Sequence, residues 1–229
     1  MRRALKLVVG AAVVVVVLAG AFVAWYVIGD RAPGKPKLGA DAKAPTGGPA
    51  TPDGTWHVKR GAQVYVGYRI KELFGDAVIK HEVVGRTPAV NGSLTITSGR
   101  VTTAVVSADV TQLTSDREAR DSYIRDNGLD SDKFPTARFT LTAPITLPAK
   151  VAKGQEVDTH ASGTLLLHGV TRPVTFDLQA RWNGPTVDMV GTAPITLHDY
   201  GITPPHTVIA DVDAKGSMEI DLSFVPVSV

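Results

Sequence analysis

From residue 55 onward, apolar and polar side chains alternate with a period of two, a pattern that restricts the chain to antiparallel strands with one buried and one wetted face. In residues 63–71, Val64, Val66, Tyr68 and Ile70 share one face, opposite Gln63, Arg69 and Lys71. In residues 174–182, Val174, Phe176, Leu178, Ala180 and Trp182 oppose Thr175, Asp177, Gln179 and Arg181. Met218, Ile220, Leu222 and Phe224 repeat the scheme against Glu219, Asp221 and Ser223. Further strands are expected over 77–84, 92–97, 101–110, 137–147, 157–168 and 186–198, with turn signals at Asn91-Gly92, Ser98-Gly99 and Asn183-Gly184-Pro185. About eight to ten such strands fit an all-β barrel or a sandwich.

The first 54 residues read differently. Residues 7–28 carry no charge and follow Arg2, Arg3 and Lys6. A helix of that length spans about 33 Å, sufficient for a hydrocarbon core of about 30 Å. Ala19-Gly20-Ala21 resembles a signal-peptidase site, the alternative reading, but the run stays apolar through Phe22 to Ile28, with Trp25-Tyr26 at the height of an interfacial belt. A single-pass anchor over residues 1–29 is therefore expected. The basic six-residue head favours an inside N-terminus and an extracytoplasmic domain at the cell membrane. Residues 30–54 read as a linker, since 15 of the 25 are Pro, Gly or Ala. If free, such a linker reaches about 25–30 Å. Residues 55–229 then form one domain.

One helix interrupts the strands. Ser115-Asp116-Arg117-Glu118 has capping-box spacing, Arg117/Asp121 and Asp121/Arg125 are four residues apart, and Gly128 is the expected stop. A hexapeptide, Thr142 to Leu147, recurs as Thr192 to Leu197, and the proline in each copy calls for a bulge or an unpaired edge.

Enzymatic signatures are sparse. The formal net charge is +2, giving no field for nucleic acid, and the absence of cysteine excludes disulfides and a thiolate nucleophile. The six histidines form neither His-x-x-x-His nor His-Glu-x-x-His spacing, and no phosphate loop, dinucleotide fingerprint or nucleophile elbow occurs. His168 and Asp199 are the residues a hydrolase reading would invoke. Asp211 and Asp213 share a strand face, as solvated charges do. The expectation is a protein that is not an enzyme, with no metal and no cofactor.

Three ordered motifs carry a resemblance. Ser115, Arg117, Arg120, Asp121, Ile124 and Arg125 lead into Leu129-Asp130 and Phe134-Pro135-x-Ala137-x-Phe139. Gly163-x-Leu165-x-Leu167-x-Gly169-Val170-Thr171-Arg172-Pro173-Val174-Thr175-Phe176 follows, then Leu197-x-Asp199-Tyr200-Gly201-Ile202. Together they resemble the YceI family of polyisoprenoid-binding-like proteins, with a departure at Glu72, where many relatives carry histidine. The resemblance implies an extended eight-stranded antiparallel barrel, lipocalin-like, with one short helix and an interior channel for an isoprenoid lipid or quinone. It also implies a secreted or periplasmic setting, and an envelope or cytochrome b-type membrane partner.

An eight-stranded barrel is just wide enough to fill with side chains or to hold one ligand. The small side chains Thr102, Ala104, Val106, Ala108 and Val110 on one wall would face Phe139, Leu141, Phe176, Leu178 and Phe224 on others. Such walls leave an elongated apolar slot, to which Val66, Tyr68 and Ile70 also contribute. The alternative is that the large residues close the core, leaving a ligand-free structural or interaction module. Burial alone supplies affinity for an isoprenoid, at about 25 cal/mol per Å². A pyrophosphate head would call for a cation at the mouth, for which Arg69, Lys71, Arg117 and Arg120 are the candidates.

Overall fold

In the computed structural model, residues 32–39, 47–61, 63–74, 79–206 and 210–227 are described. The expected membrane anchor, residues 7–28, lies outside them. Among the described residues no helix is long and apolar enough to cross a membrane.

The alternating segments form a closed antiparallel barrel. In chain order the strands are β1 (Gly54–Val58), β2 (Tyr65–Phe74), β3 (Ile79–Thr87), β4 (Val90–Thr97), β5 (Arg100–Asp109), β6 (Thr136–Leu141) and β7 (Ile145–Thr146). There follow β8 (Glu156–Leu167), β9 (Val170–Trp182), β10 (Val187–Thr196) and β11 (Ala210–Pro226). These make eight staves. β1 and β2 follow one another along the same edge of β11, β3 and β4 continue each other beside them, and β6 and β7 both pair with β5. The ring runs from β4 through β5, β6, β8, β9 and β10 to β11, and Trp56↔Pro226 closes it.

Turn chemistry sets the hairpin registers. His168 and Gly169 both have positive φ, 49° and 72°, joining Leu167↔Val170 by a two-residue loop of the kind whose twist matches that of the strands. Ser98 and Gly99 do the same for β4–β5, at 51° and 71°. The repeated hexapeptide meets its prolines in two ways. Pro144 lies in the break between β6 and β7, so the expected strand 137–147 is two strands. Pro194 pairs with Ser217 on β11, beyond the point where β10 parts from β9 at Thr192↔Asp177, so its missing N–H is not needed by a neighbour.

The expected capping box is not the helix start. α1 (Glu118–Tyr123) begins after Arg117 with no side-chain cap. Asp121 reaches back instead, its Oδ1 accepting from the Ser115 amide at 2.8 Å and hydroxyl at 2.6 Å. This occupies Asp121 with Ser115 rather than with Arg117 or Arg125. A π-helical turn, residues 124–128, continues α1 through Gly128, and the Leu129 amide closes it on the Ile124 carbonyl.

The two barrel ends differ. At one end Trp56 and Trp182 are buried, their indole N–H groups donating to the Pro52 and Gly184 carbonyls at 2.9 and 3.2 Å. At the other end, α1 and the 3₁₀ turn Leu197–Tyr200 lie beyond the strand termini. The segment 32–39 lies against the outside of the wall. Arg69 and Arg86 donate to the Pro33 and Gly34 carbonyls at 2.6 and 3.2 Å, and Arg181 donates to the Gly39 carbonyl at 2.7 Å.

Candidate functional site

The inward side chains of the staves leave a cavity of about 70 Å³ between the tryptophan end and the middle of the barrel; the surface facing it is apolar, although Arg138 of β6 also borders it. β5 contributes Val101, Ala104, Val106 and Ala108, and β6 contributes Ala137, Phe139 and Leu141. Ala161 and Leu165 come from β8, Phe176 and Leu178 from β9, and Met189 from β10. β11 supplies Met218, Ile220, Leu222 and Phe224. The small side chains of β5 stand beside an edge-to-face pair, Phe139 and Phe176, whose ring centroids are 5.3 Å apart.

Nine of the eleven residues expected along a slot line this cavity: Val66, Ala104, Val106, Ala108, Phe139, Leu141, Phe176, Leu178 and Phe224. Tyr68 and Ile70 do not. They follow Val66 on the same face of β2 but pair with Met218 and Gly216, one and two steps further toward the helix-bearing end. The expected inward position of Thr102 is also corrected. Thr95 pairs with Thr103 and Ile96 with Val101, so Thr102 is the extra residue of a bulge and is exposed, while Val101 turns inward. Leu94, Val101, Ala137, Ile145, Ala161, Leu165, Met189, Met218, Ile220 and Leu222 were missing from the expected set. Val101 turns inward through the bulge; the others lie on apolar strand faces, and only barrel closure tells which stretch of a face borders a void.

Of the candidate head-group cations, the three arginines are ion-paired. Arg69 points outward, the opposite parity to Val66, and is buried. Its guanidinium donates to Glu219 at 3.1 Å, Glu82 at 2.9 Å and the Pro33 carbonyl. Arg86 binds the other oxygen of Glu219 at 2.7 Å and stacks over the Tyr65 ring at 4.1 Å. Burial pushes the Tyr65 hydroxyl up to about 12, against the opposing pull of Arg86. Lys71 is exposed on the same outer side.

Arg120 does stand at the helix-bearing end. Its Nε donates to Glu72 Oε1 at 2.9 Å and its Nη1 to Asp116 Oδ1, so two carboxylates already hold it. Arg117 lies beside Asp116, with Nε 3.5 Å from Oδ2. Glu72, the departure noted in sequence, is thus the carboxylate that binds α1 to β2. Close to this group the Tyr68 hydroxyl is buried and has no hydrogen-bond partner among the described residues. Burial raises its pKa, and the Arg120 charge partly offsets the rise.

The residues of the hydrolase reading, His168 and Asp199, make main-chain contacts. His168 Nδ1 lies 2.9 Å from the Tyr200 carbonyl, its ring edge-to-face with Phe134. Asp199 offers its main-chain carbonyl to Arg172 Nε at 2.9 Å. Among the described residues, no group of three or more His, Asp or Glu gathers to hold a metal ion.

Known proteins share this architecture. The family described as YceI-like domain matches residues 57–224. A UPF0312 protein of Pseudomonas putida is 29% identical over 170 residues, covering 70% of this chain and 82% of its own. A UPF0312 protein of Vibrio vulnificus is 29% identical over 152 residues, covering 62% of this chain and 74% of its own. Among solved structures, a polyisoprenoid binding domain from Saccharophagus degradans, implicated in plant cell wall breakdown, superposes with a TM-score of 0.56 at 15% identity. It covers 75% of this chain and 98% of its own. BcnA of Burkholderia cenocepacia superposes with a TM-score of 0.55 at 17% identity, covering 72% and 98%.

Proposed function

Since the chain belongs to the YceI-like domain family, we propose that its barrel holds the tail of an isoprenoid lipid or quinone, next to a membrane in which residues 7–28 anchor it and on the extracytoplasmic side. The observation that carries this reading is the apolar cavity between small side chains on β5 and aromatic ones on β6 and β9. The polyisoprenoid binding described for the Saccharophagus degradans domain supports the same choice of ligand.

Volume sets a condition on this function. At about 70 Å³ the cavity is smaller than the 150 Å³ or so that accommodates benzene in an engineered core. A prenyl chain therefore enters by displacing wall side chains, and Met189 and Met218 are suited to that because an unbranched thioether changes rotamer at small cost. Each buried isoprene unit contributes about 4 kcal/mol at ~0.8 kcal/mol per carbon, which offsets a rearrangement of a few side chains. The polar end follows from charge. Arg120 is neutralised by Glu72 and Asp116, so a pyrophosphate finds no free guanidinium in it, whereas a neutral quinone or phenol finds the Tyr68 hydroxyl as a donor.

The small cavity also favours a second reading, a closed barrel serving as an interaction module at the envelope, with a cytochrome-type membrane protein as partner. One experiment separates them. The full chain is purified from membranes of several expression hosts, and its organic extract is analysed by mass spectrometry. A stoichiometric prenyl lipid or quinone is expected; extracts without any apolar lipid in every host would leave only the interaction module.

A further inference from the structure

The chain enters the barrel at the end away from α1. Gly54 begins β1, and Trp56↔Pro226, Phe224↔Val187 and Val187↔Trp182 fix that level as the tryptophan end. A membrane tether leaving the domain at Gly54 would bring the tryptophan end nearest the bilayer. Residues 32–39 change that.

The polar contacts of this segment map a path along the wall. Gly39 is held by Arg181, which pairs with Asp188 and, through it, stands level with Ser223 of β11. Pro33 is held by Arg69, which pairs with Ser217. Gly34 is held by Arg86, which pairs with Thr114, immediately ahead of the helical segment. From Ser223 to Ser217 is six positions on a strand, about 20 Å. From Gly39 to Pro33 is six residues, also about 20 Å when extended. The segment thus lies stretched along the barrel wall and moves the exit point from the tryptophan end toward the helix-bearing end. Ala32, Pro36 and Leu38 are half-buried on the way. The receiving surface is rigid, because Arg69 and Arg86 are fixed by Glu219, which is wholly buried.

We propose that residues 32–39 are a strap that turns the helix-bearing end of the barrel, with Tyr123 and Arg120, toward the lipid bilayer. The inference rests on the reading of residues 7–28 as the membrane anchor. Three residues lie between Ile28 and Ala32, four Cα-to-Cα steps with a reach of at most about 14 Å, against the 25–30 Å or so of a free 25-residue linker. The strap therefore fixes both distance and direction. Tyr123, exposed on α1, then sits where an amphipathic ring is stable at a membrane surface.

The chain has no cysteine, so single labels are available. Tyr123→Cys and Gln155→Cys, at the helix-bearing and tryptophan ends, are labelled with a fluorophore in the full chain. The protein is reconstituted in phosphatidylcholine vesicles carrying a headgroup quencher. Stronger quenching at position 123 than at 155 is expected. Replacing residues 32–39 by eight Gly and Ser residues, which keeps the carbonyls but removes the half-buried side chains of Ala32, Pro36 and Leu38 and the stiffness of the prolines, is expected to reduce the difference. Arg181→Gln, which releases only the Gly39 end, is expected to reduce it. Equal quenching at the two positions in the parent chain, or stronger quenching at 155, overturns the strap while leaving the anchor standing. Failure of the full chain to float with the vesicles overturns the anchor and the strap together.

Discussion

Glu219, wholly buried on the outward side of β11, accepts a hydrogen bond from Arg69 Nε at 3.1 Å, across 150 residues of chain. Arg86 takes its other oxygen. Removing the shared carboxylate leaves Arg69 buried with only part of its pairing, so Glu219→Ala is expected to cost about 3–5 kcal/mol in urea unfolding. Arg69→Met combined with Glu219→Leu is expected to be less damaging than Glu219→Ala alone, because no buried charge is stranded. Equal losses in the two chains would refute this account of the site.

Cavity volume offers a second handle. Ala104→Leu fills space in the cavity and is expected to reduce the prenyl lipid recovered by extraction, with a stability change within about 3 kcal/mol. Phe139→Ala enlarges the void and breaks the pair with Phe176, costing about 3–5 kcal/mol. Mass spectrometry of extracts, alongside urea midpoints, reads both effects.

Tyr68→Phe deletes a hydroxyl and little else. If that hydroxyl donates to a quinone or phenol head, the variant binds such a ligand more weakly by about 0.5–1.5 kcal/mol. A prenyl hydrocarbon without a head group is expected to bind both chains alike. Competition titrations with the two ligands give the comparison, and an equal loss for both would remove Tyr68 from the head-group site.

The two hairpin glycines provide a controlled test of backbone against packing. Gly99 and Gly169 have nearly the same φ, 71° and 72°. A Cβ at Gly99 meets nothing within 4 Å, whereas one at Gly169 would lie 2.5 Å from Phe134 Cε1. Gly99→Ala is expected to cost about 1–2 kcal/mol of backbone strain, and Gly169→Ala clearly more. Thermal unfolding of the two variants gives the ranking.

Asp221 supplies a pH dependence. Burial, and then the Asp188 charge, raise its pKa in the fold. A raised carboxyl pKa means that the ionised form is disfavoured in the native state. The penalty is therefore present above the folded pKa and is relieved as pH falls through it toward about 3.9. Asp221→Asn is expected to be the more stable chain at about pH 7, with the advantage gone below about pH 4. Urea midpoints across that range check the sign.

Much of this architecture is legible in the side-chain alternation. The faces of β2, β9 and β11 follow from period two, and the same parity already set Arg69 and Lys71 opposite Val66, hence outside the barrel. Parity alone puts Thr102 inside, because the bulge that turns it out depends on how β4 pairs with β5 and not on β5 itself. The loop at Pro144 and the strand pairing of Pro194 come from identical hexapeptides, so their difference lies in which neighbours each meets. Asp121 in place of a capping box needs the fold of residues 115–121. The strap is invisible to any side-chain pattern, since its polar contacts use its own carbonyls.

The long strand β11 pairs with β10 on one side and with both β1 and β2 on the other. The first stave of the barrel is thus completed by the last, with Trp56 meeting Pro226. No contiguous N-terminal portion of the domain can close a ring, so a ribosome-bound chain exposes strand edges until residues 210–226 are free. Folding is then a late, cooperative event of high contact order, on the millisecond-to-second scale of other barrels. Truncation inside β11 is expected to yield an aggregating chain rather than a smaller barrel.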